Sequence, residues 1–292
     1  MFFSSCKTPP VLQNPQASLE YKAIQAKDTS EAYLDFEFKA INPRSVAAEL
    51  KISGWKTEIN GAELKDGIVI FADNSADKTI FTLAPATDTQ PAELETPIRL
   101  KLNLPVLINN GLVIEDDFKV NLELNLVYTY ASVQQKKNRK APNASSPIQI
   151  KVQETAVFPY IREPVFKITA IAVLKAELIN TRFRVNMVID NPNPFPVELS
   201  AFTYELYGDG RLWADGQEKN VFQIPPRQSR DTQLFLIMNF INMGRPLLDQ
   251  VIALQKVAYR FKGNVLIKTN VDYLPRFTGS YDLSGYSQVL EK

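Results

Sequence analysis

The chain contains one short phrase twice, and the two copies lie 149 residues apart (191 − 42 = 149). Asn42-Pro43 and Asn191-Pro192-Asn193 each end a run in which apolar and polar residues alternate, and each is followed by Glu-Leu and by matched glycines. When 34–67 is aligned without a gap on 183–216, seven of 34 positions are identical, and most are turn residues. Backbone geometry restricts the residue types at turns, so the repeat predicts two copies of one domain made of strands and tight corners.

Alternation with a period of two precedes both copies of the phrase. The apolar face holds Leu34, Phe36, Phe38 and Ala40 in the first half and Phe183, Val185, Met187 and Ile189 in the second. This pattern predicts half-buried antiparallel strands, and Asn60-Gly61 predicts a hairpin turn. An Asn side chain can bond its own backbone and proline cannot continue a ladder, so both phrases are interpreted as structural corners. The corner residues are Asn42, Pro43, Asn191, Pro192 and Asn193.

About seven short strands in each half, separated by turn signals, predict an all-β chain of two tandem antiparallel β-sandwiches of the fibronectin or immunoglobulin type. Each half also carries one short helical pattern late in its order, starting at Pro105 and at Pro246. We expect a tether at 1–16, a first domain at 17–130, a linker at 131–160 and a second domain at 161–287. The linker is predicted because 134–147 is polar, basic and interrupted by prolines.

The composition removes the usual catalytic groups. No histidine occurs, Cys6 is the only cysteine, and the net charge is +1. The commonest general base, the commonest metal ligand and a field that would attract nucleic acid are therefore missing. We expect no enzyme activity, no catalytic residue, no metal, no cofactor and no nucleic-acid partner. Asp116-Asp117 and Gly208-Asp209-Gly210 are interpreted as turns, since neither has the surroundings of a catalytic or phosphate site.

Four aromatic residues lie near the repeated hairpin. They are Trp55, Tyr204, Tyr207 and Trp213. Core packing is the first interpretation, and a ligand or partner surface is the alternative.

The first six residues resemble the end of a bacterial lipoprotein signal, in which small residues precede a cysteine that is cleaved and lipidated. Ser4-Ser5 precede Cys6, and a polar stretch with prolines follows. A charged start and most of the hydrophobic region of such a signal are missing, so a frayed terminus with an incidental cysteine is the alternative. We expect lipidation at Cys6, a membrane partner through that anchor and a cell-envelope location. Without lipidation the expected location is cytoplasmic.

The stretch Val188–Leu199, with Asn-Pro-Asn after an alternating strand and a glycine turn beyond the next strand, resembles the LEA-2 group. This group is also called LEA14-like or WHy (water stress and hypersensitive response). The resemblance covers roughly 160–285. The first half has Asn42-Pro43-Arg44 in this place, so its resemblance to the group is inferred mainly from its similarity to the second half.

The resemblance to the LEA-2 group implies a sandwich fold, an association with desiccation and stress tolerance, and no established catalysis. It also implies, for some members, an apolar groove between the sheets that carries lipid. We therefore expect a non-catalytic protective or scaffolding protein. The alternative is a carrier of lipid or another apolar ligand in a groove between sheets, and a lipid or another envelope protein would be a further partner.

Overall fold

The computed structural model describes residues 14–64, 68–71, 79–87, 89–105, 116–130, 146–175, 181–208, 210–238 and 256–291. The chain divides into two compact units, Met1–Gln25 with Glu31–Phe158 and Ala26–Ser30 with Pro159–Lys292. Most described residues lie in strands, and the sheets form two sandwich-like halves. The predicted all-β fold class is therefore confirmed.

The first unit forms two sheets from nine strands among its described residues. The strands are β1 Gln16–Ala26, β2 Glu31–Asn42, β3 Ala48–Ile59, β4 Ala62–Glu63, β5 Ile68–Phe71, β6 Ile80–Leu83, β7 Ala92–Asn103, β8 Asp117–Tyr130 and β9 Ile148–Pro159. One sheet has the order β1-β2-β7-β5. The other has the order β4-β3-β8-β9, with β6 beside β3.

The second unit has eight strands in the described part of the chain. They are β10 Val165–Lys175, β11 Thr181–Asp190, β12 Val197–Gly208, β13 Arg211–Glu218, β14 Phe222–Ile224, β15 Ser229–Met238, β16 Lys256–Thr269 and β17 Arg276–Glu291. One layer runs β13-β12-β16-β17, with β14 beside β12, and the other runs β10-β11-β15. The layers are joined because 171–173 of β10 pairs in parallel with 289–291 of β17.

Both units use the same pairing order. β1 to β4 correspond to β10 to β13, and β6 to β9 correspond to β14 to β17, so β5 is the additional strand of the first unit. The ladders agree in register: Ala48 pairs with Leu83, and Val197, which lies 149 positions later, pairs with Ile224. The repeated residues therefore lie at equivalent places in two similarly connected sandwiches.

The apolar faces predicted from alternation lie inside both units. Leu34, Phe38, Phe183 and Val185 are fully buried, and their polar neighbours face outward. Burial of an aliphatic or aromatic side chain of this size contributes about 1.5–3 kcal/mol to folding. These faces therefore form the cores.

The hairpin after β3 has the backbone that its sequence predicts. Asn60 and Gly61 have φ values of 49° and 83°. A type I′ turn needs positive φ at both central residues, and Asn and Gly are the residues that accept it most readily. In the second unit, Gly210 (φ 78°) lies at the position equivalent to Gly61.

The predicted boundaries differ from the structure around the linker. Within 131–160, Ile148–Pro159 forms β9, which joins the sheet of the first unit beside β8. Phe158 is buried against Phe118, with 5.4 Å between ring centroids, and this packing holds β9 in the first unit. The rest of the predicted linker, 131–145, lies outside the described residues.

Little of the two predicted helices falls in the described part of the chain. Leu104 and Pro105 are helical. The remainder of the first predicted turn, 106–111, and the second predicted helix up to residue 255 lie outside it.

Candidate functional site

The side chain of Asn191 lies at the point where β11 ends and the chain crosses to β12. It is 2% exposed. Its Nδ2 donates to the carbonyl oxygens of Phe195 (2.8 Å), Pro225 (3.0 Å) and Ile224 (3.3 Å). Its Oδ1 accepts from the backbone N–H of Asn193 at 3.0 Å. One buried amide thus ties the end of β11 to the start of β12 and to the end of β14.

Asn193 extends the corner to the segment before β10. It is fully buried, and its Nδ2 donates to Arg162 O at 2.9 Å while Arg162 N–H donates to Asn193 Oδ1 at 2.8 Å. The same Nδ2 donates to Asn191 Oδ1 at 2.9 Å. A side-chain amide is one of the few groups that can satisfy both backbone groups of one residue, so Asn193 fits its place.

Asn42 makes the equivalent contacts in the first unit. Its Nδ2 donates to Val46 O (2.8 Å) and Ala84 O (2.7 Å), and its Oδ1 accepts from Arg44 N–H (3.0 Å). Val46 and Arg44 lie 149 positions before Phe195 and Asn193. The units differ at the third residue of the phrase, where Arg44 stands in the place of Asn193. The guanidinium of Arg44 lies 4.1 Å from the ring centroid of Tyr130.

The two corners bring all five predicted motif residues to the ends of strands. Pro43 directly follows β2, and Pro192 follows β11 by two residues. The buried amides direct their donors and acceptors at backbone groups of their own unit. An Asn amide has no nucleophile, so the chemistry of the corner is that of a strand crossing. Cys6 lies outside the described residues.

Tyrosine rings cover glycines across the layer β13-β12-β16-β17, which sequence reasoning did not detect. Tyr281 pairs with Gly263, and a methyl group on Gly263 would lie 2.7 Å from the Tyr281 hydroxyl oxygen and 1.8 Å from Thr203 O. The Tyr281 hydroxyl donates to Thr203 O at 2.7 Å. Tyr204 lies over Gly216 in the same way. Glycine inside a strand pattern signals such close approach, but the sequence does not name the partner strand.

The four aromatic residues singled out from sequence fall into different environments. Trp213 is 4% exposed and stacks on Phe183, with 6.0 Å between ring centroids. Tyr204 and Tyr207 are half-buried, and Trp55 is 39% exposed. Core packing therefore holds for Trp213 and only in part for Tyr204.

An open depression of about 550 Å³ lies over the outer side of the same layer. Three of its charged groups have partners: Lys262 lies 3.0 Å from Glu205, and Asp282 forms a two-pronged hydrogen-bonded pair with Arg260. A hydrogen bond from the Tyr207 hydroxyl, together with Lys262, lowers the pKa of the Glu205 carboxyl. Arg260 lowers the pKa of Asp282. Both carboxylates are therefore held ionised, whereas a general acid at neutral pH needs a raised pKa.

A second depression, of about 500 Å³, lies beside the Asn191 corner. Its apolar wall includes Pro196, Pro225 and Pro226, and its rim includes the ion pair of Lys268 and Glu198 (2.7 Å). The space between the two layers of this unit is instead filled by buried side chains, among them Phe202, Phe261 and Leu199. The described cavities are thus open depressions.

Within the part of the chain that the structure describes, no three Asp, Glu, His or Cys side chains are grouped to hold a metal ion. No helix in that part has the length and apolar character needed to cross a membrane.

Comparison with known proteins identifies one family. Residues 186–272 match the family model LEA_2, described as late embryogenesis abundant protein. The matched segment starts within β11, contains the Asn191 corner and ends just after β16. No curated protein matches the chain.

The solved structures that match this chain share little sequence with it. A protein from Archaeoglobus fulgidus is 15% identical, with a TM-score of 0.25, over 43% of this chain and 97% of that one. The solution structure of AT1g01470 from Arabidopsis thaliana is 11% identical, with a TM-score of 0.37, over 46% of this chain and 87% of that one. The Bacteroides uniformis beta-glucuronidase is 8% identical, with a TM-score of 0.23, over 87% of this chain and 26% of that one. At such TM-scores none of these likenesses bears on activity.

The corner geometry and the family match agree on the same residues. Asn191, Pro192 and Asn193, on which the resemblance to the LEA-2 group depended, lie inside the matched segment. Over residues 186–272, the chain matches the LEA_2, or late embryogenesis abundant protein, family.

Proposed function

We propose that this chain is a non-catalytic, stress-related β-sandwich protein with a protective or scaffolding role. The match of 186–272 to the LEA_2 family is the observation that carries this proposal. The buried, fully bonded corner and the filled interior of the second unit support it, because both serve a rigid scaffold. We also propose that the first unit is a second copy of the same domain, which the shared pairing order supports.

Protection of a labile enzyme tests the stress-related role. Lactate dehydrogenase would be dried and rehydrated with the chain, or with an equal mass of an unrelated soluble β-sandwich protein. We expect the chain to preserve more activity than the control, because the proposed role requires more than general crowding. Equal recovery in the two samples would contradict the role.

We further propose that the chain is held at a membrane of the cell envelope by a lipid on Cys6. The support is the sequence: two serines precede the only cysteine, and β1 begins ten residues after it. Ten residues of extended chain span up to about 33–36 Å, which is enough to hold a folded unit clear of lipid headgroups.

Fractionation of producing cells tests the anchor. We expect the wild type in the membrane fraction and labelled by a palmitate analogue, and the Cys6→Ser variant soluble and unlabelled. Globomycin, which blocks lipoprotein signal cleavage, should cause the wild type to accumulate uncleaved. A wild type that is soluble and unlabelled would refute the anchor and leave the stress-related role untouched.

The alternative role, carriage of an apolar ligand between the sheets, needs a continuous cavity there. The described interior is packed, so we expect lipid extraction of natively purified protein to yield no stoichiometric lipid. A stoichiometric lipid found by mass spectrometry would favour the carrier over the scaffold.

A further inference from the structure

Strand β15 exposes large apolar side chains on the outer face of the second unit. Phe235 is 58% exposed and Ile237 is 62% exposed, whereas Leu234 and Leu236 between and beside them face the core. Exposed apolar residues on a terminal strand favour association, and natural proteins usually place charged residues there.

The first unit follows that usual rule at the equivalent positions. Leu34 pairs with Leu100, and Phe183, the equivalent of Leu34, pairs with Leu236. Leu100 therefore corresponds to Leu236, and the neighbouring Arg99 and Lys101 correspond to Phe235 and Ile237.

The cations of the first unit are matched by acids on β2. Arg99 donates two hydrogen bonds to Asp35, at 2.6 and 2.9 Å, and Lys101 lies 2.7 Å from Glu31. The cationic side chains on this face of the first unit are thus paired with acids of the same unit.

On β11 of the second unit, Arg184 stands in the place of Asp35, and Arg182 in the place of Tyr33. Phe235 pairs with Arg184 and Ile237 pairs with Arg182 across β11 and β15. The Nε of Arg184 is buried without a hydrogen-bond partner among the described residues. A buried donor without an acceptor costs about 1–3 kcal/mol, so an unsatisfied donor lies on β11 beside the exposed apolar side chain of Phe235.

The edge of β15 also differs from the edge of β7. In the first unit, β5 pairs antiparallel with β7, with Ile68 opposite Lys101 and Phe71 opposite Ile98. In the second unit, β13 and β14 are separated only by 219–221, which is too short for such a strand. β13 approaches β15, but its ladder runs to β12, so β15 ends its layer in the described part of the chain.

We propose that β15 is a docking edge for an extended segment of another protein, which adds as an antiparallel strand in the place that β5 occupies in the first unit. The segment has apolar residues beside Phe235 and Ile237 and carries carboxylates that reach the arginines of β11. Backbone hydrogen bonds along the edge supply affinity, and the outward side chains supply selection. This inference stands apart from both the stress-related role and the anchor.

The chain supplies its own probe for a test. The segment 66–73, Asp-Gly-Ile-Val-Ile-Phe-Ala-Asp, contains the β5 sequence with an aspartate at each end. A labelled peptide of this sequence would be titrated with the full chain and followed by fluorescence anisotropy. Amide hydrogen exchange of the chain would be measured with and without the peptide.

The test variant is Phe235→Asp with Ile237→Asp, which removes the apolar contacts and places carboxylates where the peptide brings its own. The matched control is Val165→Asp, which replaces an equally exposed apolar residue (56%) on β10. We expect the double variant to bind the peptide at least about tenfold more weakly and the control to bind as the wild type does. We also expect added exchange protection in 229–238 of the wild type.

Folding of the variants is checked by Trp213 fluorescence in a Trp55→Phe background, and Phe235→Thr with Ile237→Thr serves as a second pair that keeps strand propensity. A peptide with lysine in place of both aspartates should bind more weakly than the original. The proposal would be overturned if the lysine peptide bound as tightly as the original peptide, or if the double variant bound the original peptide as tightly as the wild type does. Exchange protection that appears only outside β15 would overturn it too.

Two other occupants of the edge are distinguishable. If the wild type bound phosphatidylglycerol vesicles but not the peptide, and the double variant did not bind the vesicles, the edge would contact a membrane surface. That result would overturn the proposal. If the wild type were a dimer in sedimentation equilibrium and the double variant a monomer, the edge would bind a second copy of the chain. That result would also overturn the proposal.

Discussion

Replacement of Asn191 by alanine should destabilise the second unit more than any surface change in it. The two amide hydrogens of Asn191 bond carbonyl oxygens such as Phe195 O and Pro225 O, and its Oδ1 accepts two hydrogen bonds from Asn193. At about 1 kcal/mol for each of these four bonds, Asn191→Ala should cost about 4 kcal/mol. Asn42 makes three such bonds, so Asn42→Ala should cost about 3 kcal/mol and act on the first unit.

The two tryptophans make each unit separately observable. Trp213 lies in the core of the second unit, and Trp55 lies on β3 of the first. In a Trp55→Phe background, urea unfolding followed by fluorescence reports the second unit alone. We expect Asn191→Ala to lower the midpoint of this transition at an unchanged slope, because the surface exposed on unfolding is the same.

Asn191→Asp separates hydrogen bonding from shape. The ionised carboxylate cannot donate, and it would face the carbonyl oxygens that Asn191 now bonds. Burial among carbonyls should raise its pKa in the folded state above the ordinary value of about 3.9. The free energy of unfolding of this variant should therefore lie closer to that of the wild type at about pH 4. The difference between the two should grow as pH rises through the pKa of the folded state.

Three results would refute the reasoning about Asn191. One is an alanine variant that loses less than about 1 kcal/mol, the worth of a single hydrogen bond. Another is a loss that appears only in the transition of the first unit, observed through Trp55. The third is an Asp variant whose deficit does not change with pH.

The remaining predictions concern side chains with clear geometry. Gly263→Ala should destabilise the second unit by more than about 2 kcal/mol in urea unfolding, because the added methyl group would lie 1.8 Å from a backbone oxygen. Gly54→Ala is the control: a methyl group there would meet no atom within 4 Å, so stability should change by less than about 1 kcal/mol. Burial raises the pKa of Tyr281, so the contribution of this tyrosine to stability is fully present below about pH 10 and is lost as pH rises further, and Tyr281→Phe should make the alkaline loss of stability shallower in thermal melts. Glu198→Gln should leave the urea midpoint close to that of the wild type, since its bond to Lys268 is at the surface, and a clearly lower midpoint would contradict this.

Local features of the fold could be predicted because their causes lie within a few residues. The period-two faces, such as Leu34 and Phe36, follow from the pleat of a strand. The turn at Asn60-Gly61 follows from the positive φ values that these residues accept. The stop after β2 follows from Pro43, which cannot donate to a ladder.

Contacts between distant residues could not be predicted in the same way. Asn193 bonds Arg162 across 31 positions, and Tyr281 covers Gly263 on the neighbouring strand. The polar, proline-broken composition of 134–147 favoured a linker, whereas pairing with β8 and packing of Phe158 on Phe118 place β9 in the first sandwich. A single sequence shows which residues can form such contacts but not which strand will supply the partner.

The two units show where the fold restricts the sequence and where it leaves freedom. At the corner, only a small side chain that both donates and accepts satisfies the crossing backbone, so Asn42 and Asn191 are the same residue type. On the outward faces the ladder requires no particular side chain, and there Arg99 is replaced by Phe235. Such a difference changes what can bind without changing how the chain folds. The two units can therefore share one strand order and still expose different side chains, as Phe235 and Ile237 on β15 show.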